Sequence, residues 1–165
     1  MDTIRNDEFY MREALCLAGR AFSLGEAPVG CVIVLDGEII GRGYNLRESE
    51  GSPLAHAEII AIDQARRHVG GWRLCGAELY VTLEPCPMCA GACINSRIDR
   101  VIFGASDAKA GSCGSLINLF ELAYNHKPSL TGGVMAEECA EILSRFFASL
   151  RERNKQRKKA KSDEI

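Results

Sequence analysis

Apolar residues Met11, Leu15, Ala18 and Phe22 recur at helical steps, which predicts an amphipathic helix over residues 7–24, stopped near Gly25 and Pro28. The period then changes. The unbroken apolar run VGCVIVL at 29–35 predicts a strand covered on both faces, and Asp36-Gly37 predicts a tight hairpin into EIIGRGYN at 38–45. A second helix is expected from Ala55 to Val69, closed by Gly70-Gly71, followed by a third strand, ELYVTL, at 78–83. Residues Cys86 to Ser96 read as a helix, RVIFG at 100–104 as a fourth strand, and Leu116 to Asn125 as a shorter helix. GGVMA at 132–136 is read as a short fifth strand. Cys139, Ile142, Leu143, Phe146, Phe147 and Leu150 mark one face of a long final helix. Strands joined through helices of this length require crossovers that cover the sheet on both sides. The expected architecture is therefore α/β, a three-layer α/β/α sandwich around a central five-stranded mixed sheet.

A chain of 165 residues encloses one sizeable core, and 47% hydrophobic with 25% charged residues is ordinary for a globular domain. The opening segment MDTIRNDEFYMRE places charges where a signal peptide needs an apolar run, and no segment approaches membrane-spanning length. The expectation is a cytoplasmic protein with no membrane partner. In a reducing compartment, the eight cysteines are not read as a disulfide framework; only the closely spaced Cys86, Cys89 and Cys93 invite metal or redox chemistry.

Charge is distributed unevenly. Residues 151–165 hold seven cations against three acids, a sum of +4, so a net charge of -2 leaves -6 on the first 150. A basic arm on an acidic body is a footprint of polyanion binding, and a solvated helix end has the same composition, so charge alone weighs the two evenly.

The candidate chemistry lies in HAE at 56–58 and PCPMC at 85–89. A catalytic zinc takes three nitrogen or sulfur ligands from the protein and keeps one position open, and His56, Cys86 and Cys89 meet that count. A helix beginning at Pro85 sets both sulfurs on one side of its first turn, where the helix dipole favours thiolate. Residues two apart in a helix interior point in opposite directions, so His56 and Glu58 converge only if their helix is met end-on. A carboxylate there can move protons to and from an attacking water. Bland readings compete: His56 as a polar helix end, or CPMC as a redox pair or structural half-site. The redox reading leaves HAE unexplained, a zinc ribbon lacks its second CxxC pair, and Cys93 lies a turn too far along and reads as core.

HAE followed by PCPMC matches the H-x-E…P-C-x-x-C signature of zinc nucleobase deaminases. Over about residues 7–150 the chain resembles the tRNA-specific adenosine deaminases of the TadA type, in the cytidine/deoxycytidylate deaminase-like superfamily. The resemblance is carried by EAPVGCVIV, GRGYN, AHAEI, LYVTLEPCPMCAGACINSRI and VIFGASDAKAGSCGSL. It implies hydrolytic deamination of adenosine to inosine at the wobble position of a tRNA anticodon. It implies one Zn2+ per subunit on His56, Cys86 and Cys89, with Glu58 as proton carrier. Asn45 is expected to hydrogen-bond the purine edge, though it also reads as a turn residue. The 105–111 loop is expected to border the RNA, Asp107 accepting from a ribose hydroxyl and Lys109 meeting a phosphate. Phe147 is a stacking candidate that periodicity assigns to the core, and Cys113, in a loop expected at the surface, reads as an oxidation liability. The resemblance also implies a homodimer that binds the anticodon stem-loop, with a zinc deaminase domain over 1–150 and a basic helical extension and tail over 151–165. A guanine or cytosine/cytidine deaminase acting on free base or nucleoside shares the zinc motif and stands as the alternative.

Overall fold

The computed structural model describes residues 3–163; Asp2 and Glu164, counted in the charge balance, lie outside them. Helix α1 (Thr3–Ser23) leads into β1 (Gly30–Leu35) and β2 (Glu38–Tyr44). A one-turn helix α2 (Arg47–Glu50) precedes α3 (Ala57–Val69), β3 (Glu78–Leu83), α4 (Pro87–Asn95) and β4 (Arg100–Ala105). A 3-10 turn at Leu119–Glu121, strand β5 (Ser129–Gly132) and helix α5 (Ala136–Asp163) complete the chain. The strands run in the order β2-β1-β3-β4-β5, antiparallel as far as β3 and parallel from β3 through β5, so the sheet is mixed as expected.

Alternation along the central strands builds two cores. Cys31, Ile33, Leu79, Val81, Val101 and Phe103 face α3 and α4, where Ala57, Ala61, Ala65, Ala90 and Cys93 meet them. Val32, Val34, Tyr80 and Ile102 point the opposite way into Tyr10, Met11, Ala14 and Leu17 of α1 and Cys139 of α5. Each such fully buried large side chain contributes about 1.5–3 kcal/mol, which is why the continuous apolar runs become central strands. The β1–β2 hairpin turns at Asp36-Gly37, both with positive φ, the geometry whose twist suits paired strands.

Close approach decides where α3 lies. A Cβ on Gly43 would fall inside the carbonyl of Ala57, so the glycines of β2 let the helix sit directly on the strand. That meeting point is one residue from His56 and from Glu58, and it fixes the end of the helix that carries both.

Two expectations near the C-terminal half are corrected. Leu116 to Asn125 is not a helix: the Asn118 side chain accepts from Phe120 N at 3.1 Å and starts a single 3-10 turn. Only Phe120 of that segment is buried, while Leu116, Ile117, Leu122 and Tyr124 are exposed, so no continuous apolar face stabilises a longer helix. The fifth strand is Ser129–Gly132 rather than 132–136, paired Arg100 to Ser129 through Phe103 to Gly132. Gly133, with φ 85, turns the chain out of the sheet, and Val134 and Met135 pack beneath it at the entry to α5.

Candidate active site and metal centre

His56 and Cys86 occupy equivalent places, the N-cap positions of α3 and α4. Both have extended backbones, and neither side chain is used to cap its own helix. An N-cap side chain ordinarily satisfies the open amide groups of the first turn; here both turn toward each other instead. Helix α4 begins with Pro87 at its first position, two residues later than the sequence pattern suggested, because proline is preorganised for that place and lacks the N–H that would go unpaired. Cys86 and Cys89 are therefore N-cap and third helical residue, a spacing that brings both side chains to the same end.

The resulting donor set has the dimensions of a metal site. Nδ1 of His56 lies 3.7 Å from Sγ of Cys86 and 3.5 Å from Sγ of Cys89, and the three donor atoms all lie within 4.8 Å of one another. Tetrahedral zinc with Zn–S of about 2.3 Å and Zn–N of about 2.0–2.1 Å requires sulfur-to-nitrogen edges of about 3.6 Å. The residues present fit zinc. Among the described residues this is the one group of three or more such side chains arranged in this way. Cys93 is buried in the α3–α4 core, as its position a turn further along implies.

Electrostatics within the group are strongly coupled. The Cys86 thiol is pushed down to about 4, first by the hydrogen bond from Cys89 and then by His56, against burial. Cys89 is held as the thiol, raised by donating to Cys86 and by burial. His56 is raised, first by its hydrogen bond with Cys86 and then by the Glu58 charge, against burial. A divalent cation replaces that shared proton and leaves both sulfurs as thiolates.

Glu58, in the first turn of α3, is 4% exposed, and burial raises its carboxyl to about 7. It lines a cavity of about 490 Å³ together with His56, Cys86, Asn45, Asp107, Lys109 and Phe147. The cavity is thus lined by every predicted site residue except Cys89, which is fully buried. End-on approach to α3 does bring His56 and Glu58 together.

The remaining predicted residues occupy the rim. Asn45 donates from Nδ2 to Ala27 O at 3.2 Å and accepts on Oδ1 from Arg47 N at 3.2 Å, so it is a turn residue and a cavity residue at once. An amide has two donor hydrogens and two acceptor lone pairs, which leaves one of each for a ligand. Asp107 Oδ1 accepts from Lys109 N at 2.9 Å and Ala110 N at 3.3 Å, an Asx turn that shapes the loop. Phe147 is 43% exposed on the cavity edge, whereas its neighbour Phe146 is 4% exposed, so the core assignment for Phe147 is corrected. The two rings stand edge to face, 5.4 Å apart.

The 107–115 segment is less superficial than its glycines suggest. Cys113 is 2% exposed, which overturns its reading as an oxidation-prone surface thiol. The cause is Glu84, also buried, whose carboxylate accepts from the backbone of Asp107, Cys113 and Ser115 and from the Ser115 hydroxyl. Burial works to raise the Glu84 carboxyl, and these donors hold it below the usual carboxylate range. The sequence reading missed Glu84, as well as Arg47 and Glu26. Arg47 and Glu84 line the cavity, and the buried Glu26 accepts from Ser49 N at 2.6 Å and Glu48 N at 3.2 Å. The available signal was an isolated acid inside an otherwise apolar stretch, in GEAPVG and in VTLEPC.

Residues 4–105 match the family model for the cytidine and deoxycytidylate deaminase zinc-binding region. The chain belongs to this family of zinc deaminases. Within it, the chain is similar to the tRNA-specific adenosine deaminase of Bacillus subtilis, 51% identical over 158 residues, covering 95% of this chain and 98% of that one. The tRNA-specific adenosine deaminase of Haemophilus influenzae is 51% identical over 151 residues, covering 90% of this chain and 87% of that one. A solved structure from work on A-to-I editing by tRNA:A34 deaminases superposes with TM-score 0.79 at 43% identity, covering 82% of this chain and 99% of that one. A guanine deaminase from Nitrosomonas europaea shares the fold, with TM-score 0.70 at 20% identity over 86% of this chain and 84% of that one.

Proposed function

We propose that this protein deaminates adenosine to inosine at the wobble position of a tRNA anticodon, releasing ammonia. The observation that carries the reading is Glu58, a buried carboxylate on the cavity wall beside a donor triad of zinc dimensions. A structural zinc or a binding surface has no use for that group. The identity to adenosine deaminases named for tRNA supports the choice of base and of polymer.

His56, Cys86 and Cys89 would hold one zinc, whose Lewis acidity makes water a nucleophile near neutral pH. Glu58, buried beside the triad with its carboxyl raised by burial, is placed both to take a proton and to return one. It accepts one proton of the attacking water and delivers it to the purine ring nitrogen as C6 is attacked, then carries the remaining hydroxyl proton to the amine, which leaves as ammonia while the C6 carbonyl forms. The remaining donor and acceptor of Asn45 hold the purine edge. Around the mouth, Asp107 accepts from a ribose hydroxyl through the oxygen left by its Asx turn, Lys109 meets a phosphate, and Phe147 stacks on a base. Reaching C6 requires an unstacked nucleotide, and an anticodon loop offers one at low cost.

The reading includes a domain over 1–150 and an RNA-binding arm over 151–165. Support for the arm comes from α5, which runs without a break to Asp163, with every residue from Arg151 to Ser162 exposed. It also includes a homodimer, supported by the exposed apolar Leu116, Ile117, Leu122 and Tyr124. A cytoplasmic location is supported by eight cysteines that are all free. No helix among the described residues is long and apolar enough to cross a membrane.

The test is incubation of the zinc-loaded protein with a mixed tRNA pool, followed by sequencing for adenosine read as guanosine. Conversion confined to one wobble position supports the reading. Turnover of guanine or cytosine with no conversion in tRNA overturns it.

A further inference from the structure

Glu84 stands two residues before Cys86, at the junction between β3 and α4, and takes no part in the donor triad. Its carboxylate is 2% exposed and gathers the whole 107–115 loop: Oε2 accepts from Asp107 N at 2.9 Å, and Oε1 accepts from Cys113 N and Ser115 N, each at 3.0 Å. The Ser115 hydroxyl donates to Oε2 as well. The neighbouring carbonyl of Pro85 accepts from Ser112 N at 2.9 Å, so the loop is fastened to residues 84–85 along its length. The loop's own turn depends on this anchor, because the residue whose amide Glu84 holds, Asp107, in turn receives the amides of Lys109 and Ala110. Gly111 completes the fit: a Cβ there would fall inside the Glu84 carboxylate.

We propose that Glu84, which lines the cavity but whose carboxylate is taken up by four donors of the loop, is a positioning residue that sets the 107–115 loop at a fixed distance from the metal-bearing end of α4, and so sets substrate affinity through the loop. The inference rests on the proposed action on RNA. A buried carboxylate with four donors is worth more than the same bonds in water, and losing its charge leaves amides facing an NH2 group. The effect falls on binding, since Glu84 lies outside the proton path, and binding that is equal in ground and transition states appears in KM.

The test compares wild type with Glu84→Gln in three measurements: zinc content, residue-resolved amide exchange, and kinetics on an anticodon stem-loop RNA. The expected result is about one zinc per chain, exchange at Asp107, Cys113 and Ser115 faster by about tenfold or more, and β1–β3 amides unchanged. KM should rise by about tenfold or more with kcat within about threefold. Wild-type exchange at those three amides, an unchanged KM, or loss of zinc in Glu84→Gln would each overturn the proposal. Gly111→Ala displaces the loop while leaving Glu84 in place, and serves if Glu84→Gln fails to fold. It should reproduce faster exchange and raised KM, and wild-type values in Gly111→Ala overturn the proposal as well. The exchange and zinc measurements need no RNA, so inactivity of the wild type on tRNA would sink the substrate reading and still leave Glu84 tested.

Discussion

The metal cradle and the rim above it are made in different ways. The cradle uses two helix ends, each seated on the sheet by small residues, and its three donors come from two short stretches, HAE and PCPMC. The rim assembles α2, the 107–115 loop and the middle of α5. It is held by two buried carboxylates, Glu26 and Glu84, acting on backbone amides 22 to 31 residues away. The cradle is two short motifs on rigid helix ends that meet across 30 residues of chain, and the rim is hydrogen bonding to buried carboxylates on loops. Rigid elements suit the reacting atoms, and loops suit recognition, where geometry varies with substrate.

Mutations should separate the two regions. Glu58→Ala is expected to lower kcat by about 10²–10⁴ with zinc content unchanged, read by single-turnover assay and metal analysis. Undiminished activity in that variant would remove Glu58 from the proton path. Cys86→Ala should abolish zinc retention. Chelation should lower the melting temperature of wild type, by the linkage of binding to folding, and leave Cys86→Ala unmoved; a variant that responds to chelator equally would mean the metal sits elsewhere.

On the rim, adjacent phenylalanines give the sharpest contrast. Phe147→Ala should weaken RNA binding by about 1–3 kcal/mol with little change in melting temperature. Phe146→Ala should cost about 3–5 kcal/mol of stability by opening a cavity. Titration of RNA and thermal denaturation of both variants check this, and an equal stability loss in Phe147→Ala would return that residue to the core. Ending the chain after Leu150 should reduce the salt slope of RNA binding by about 0.7 for each phosphate that the arm neutralises, and an unchanged slope would exclude the arm.

The smallest expected effect is a pH dependence at Glu26. Burial opposes ionisation there, yet the amides of Ser49 and Glu48 hold the carboxyl below its ordinary value. A depressed carboxyl stabilises the fold above its unfolded value of about 4.3, and that contribution is lost as pH falls through the lower folded value. Glu26→Gln should therefore melt a few degrees below wild type at neutral pH, with the gap closing below about pH 4. A gap that persists in acid would mean that shape, rather than charge, holds α2.

By itself, the sequence determined the order of the strands and longer helices through β4, though not the one-turn α2, as well as the hairpin at Asp36-Gly37 and the candidate donors His56, Cys86 and Cys89. In each of these the signal is a short pattern, an apolar run, a turn dipeptide or a Cys pair three apart, and the shared signature joined HAE to PCPMC across 30 residues. His56 and Glu58 were legible as an end-on helix because spacing alone forbids the alternative. The long final helix was legible from its own periodicity, and tertiary structure alone decided the stretch between β4 and α5 and the facing of Phe147. The 116–125 stretch has helical composition, yet Asn118 caps a single turn and only Phe120 finds a core. Strand β5 begins at Ser129 because its partner β4 sets the register, and Phe147 faces the cavity because Phe146 fills the space below α1. Cys113 is buried because a carboxylate 29 residues earlier pulls its amide inward. Periodicity reports how a segment meets its own neighbours; it carries no record of which distant acceptor will claim a loop's N–H groups, and in this protein those acceptors shape the mouth of the site.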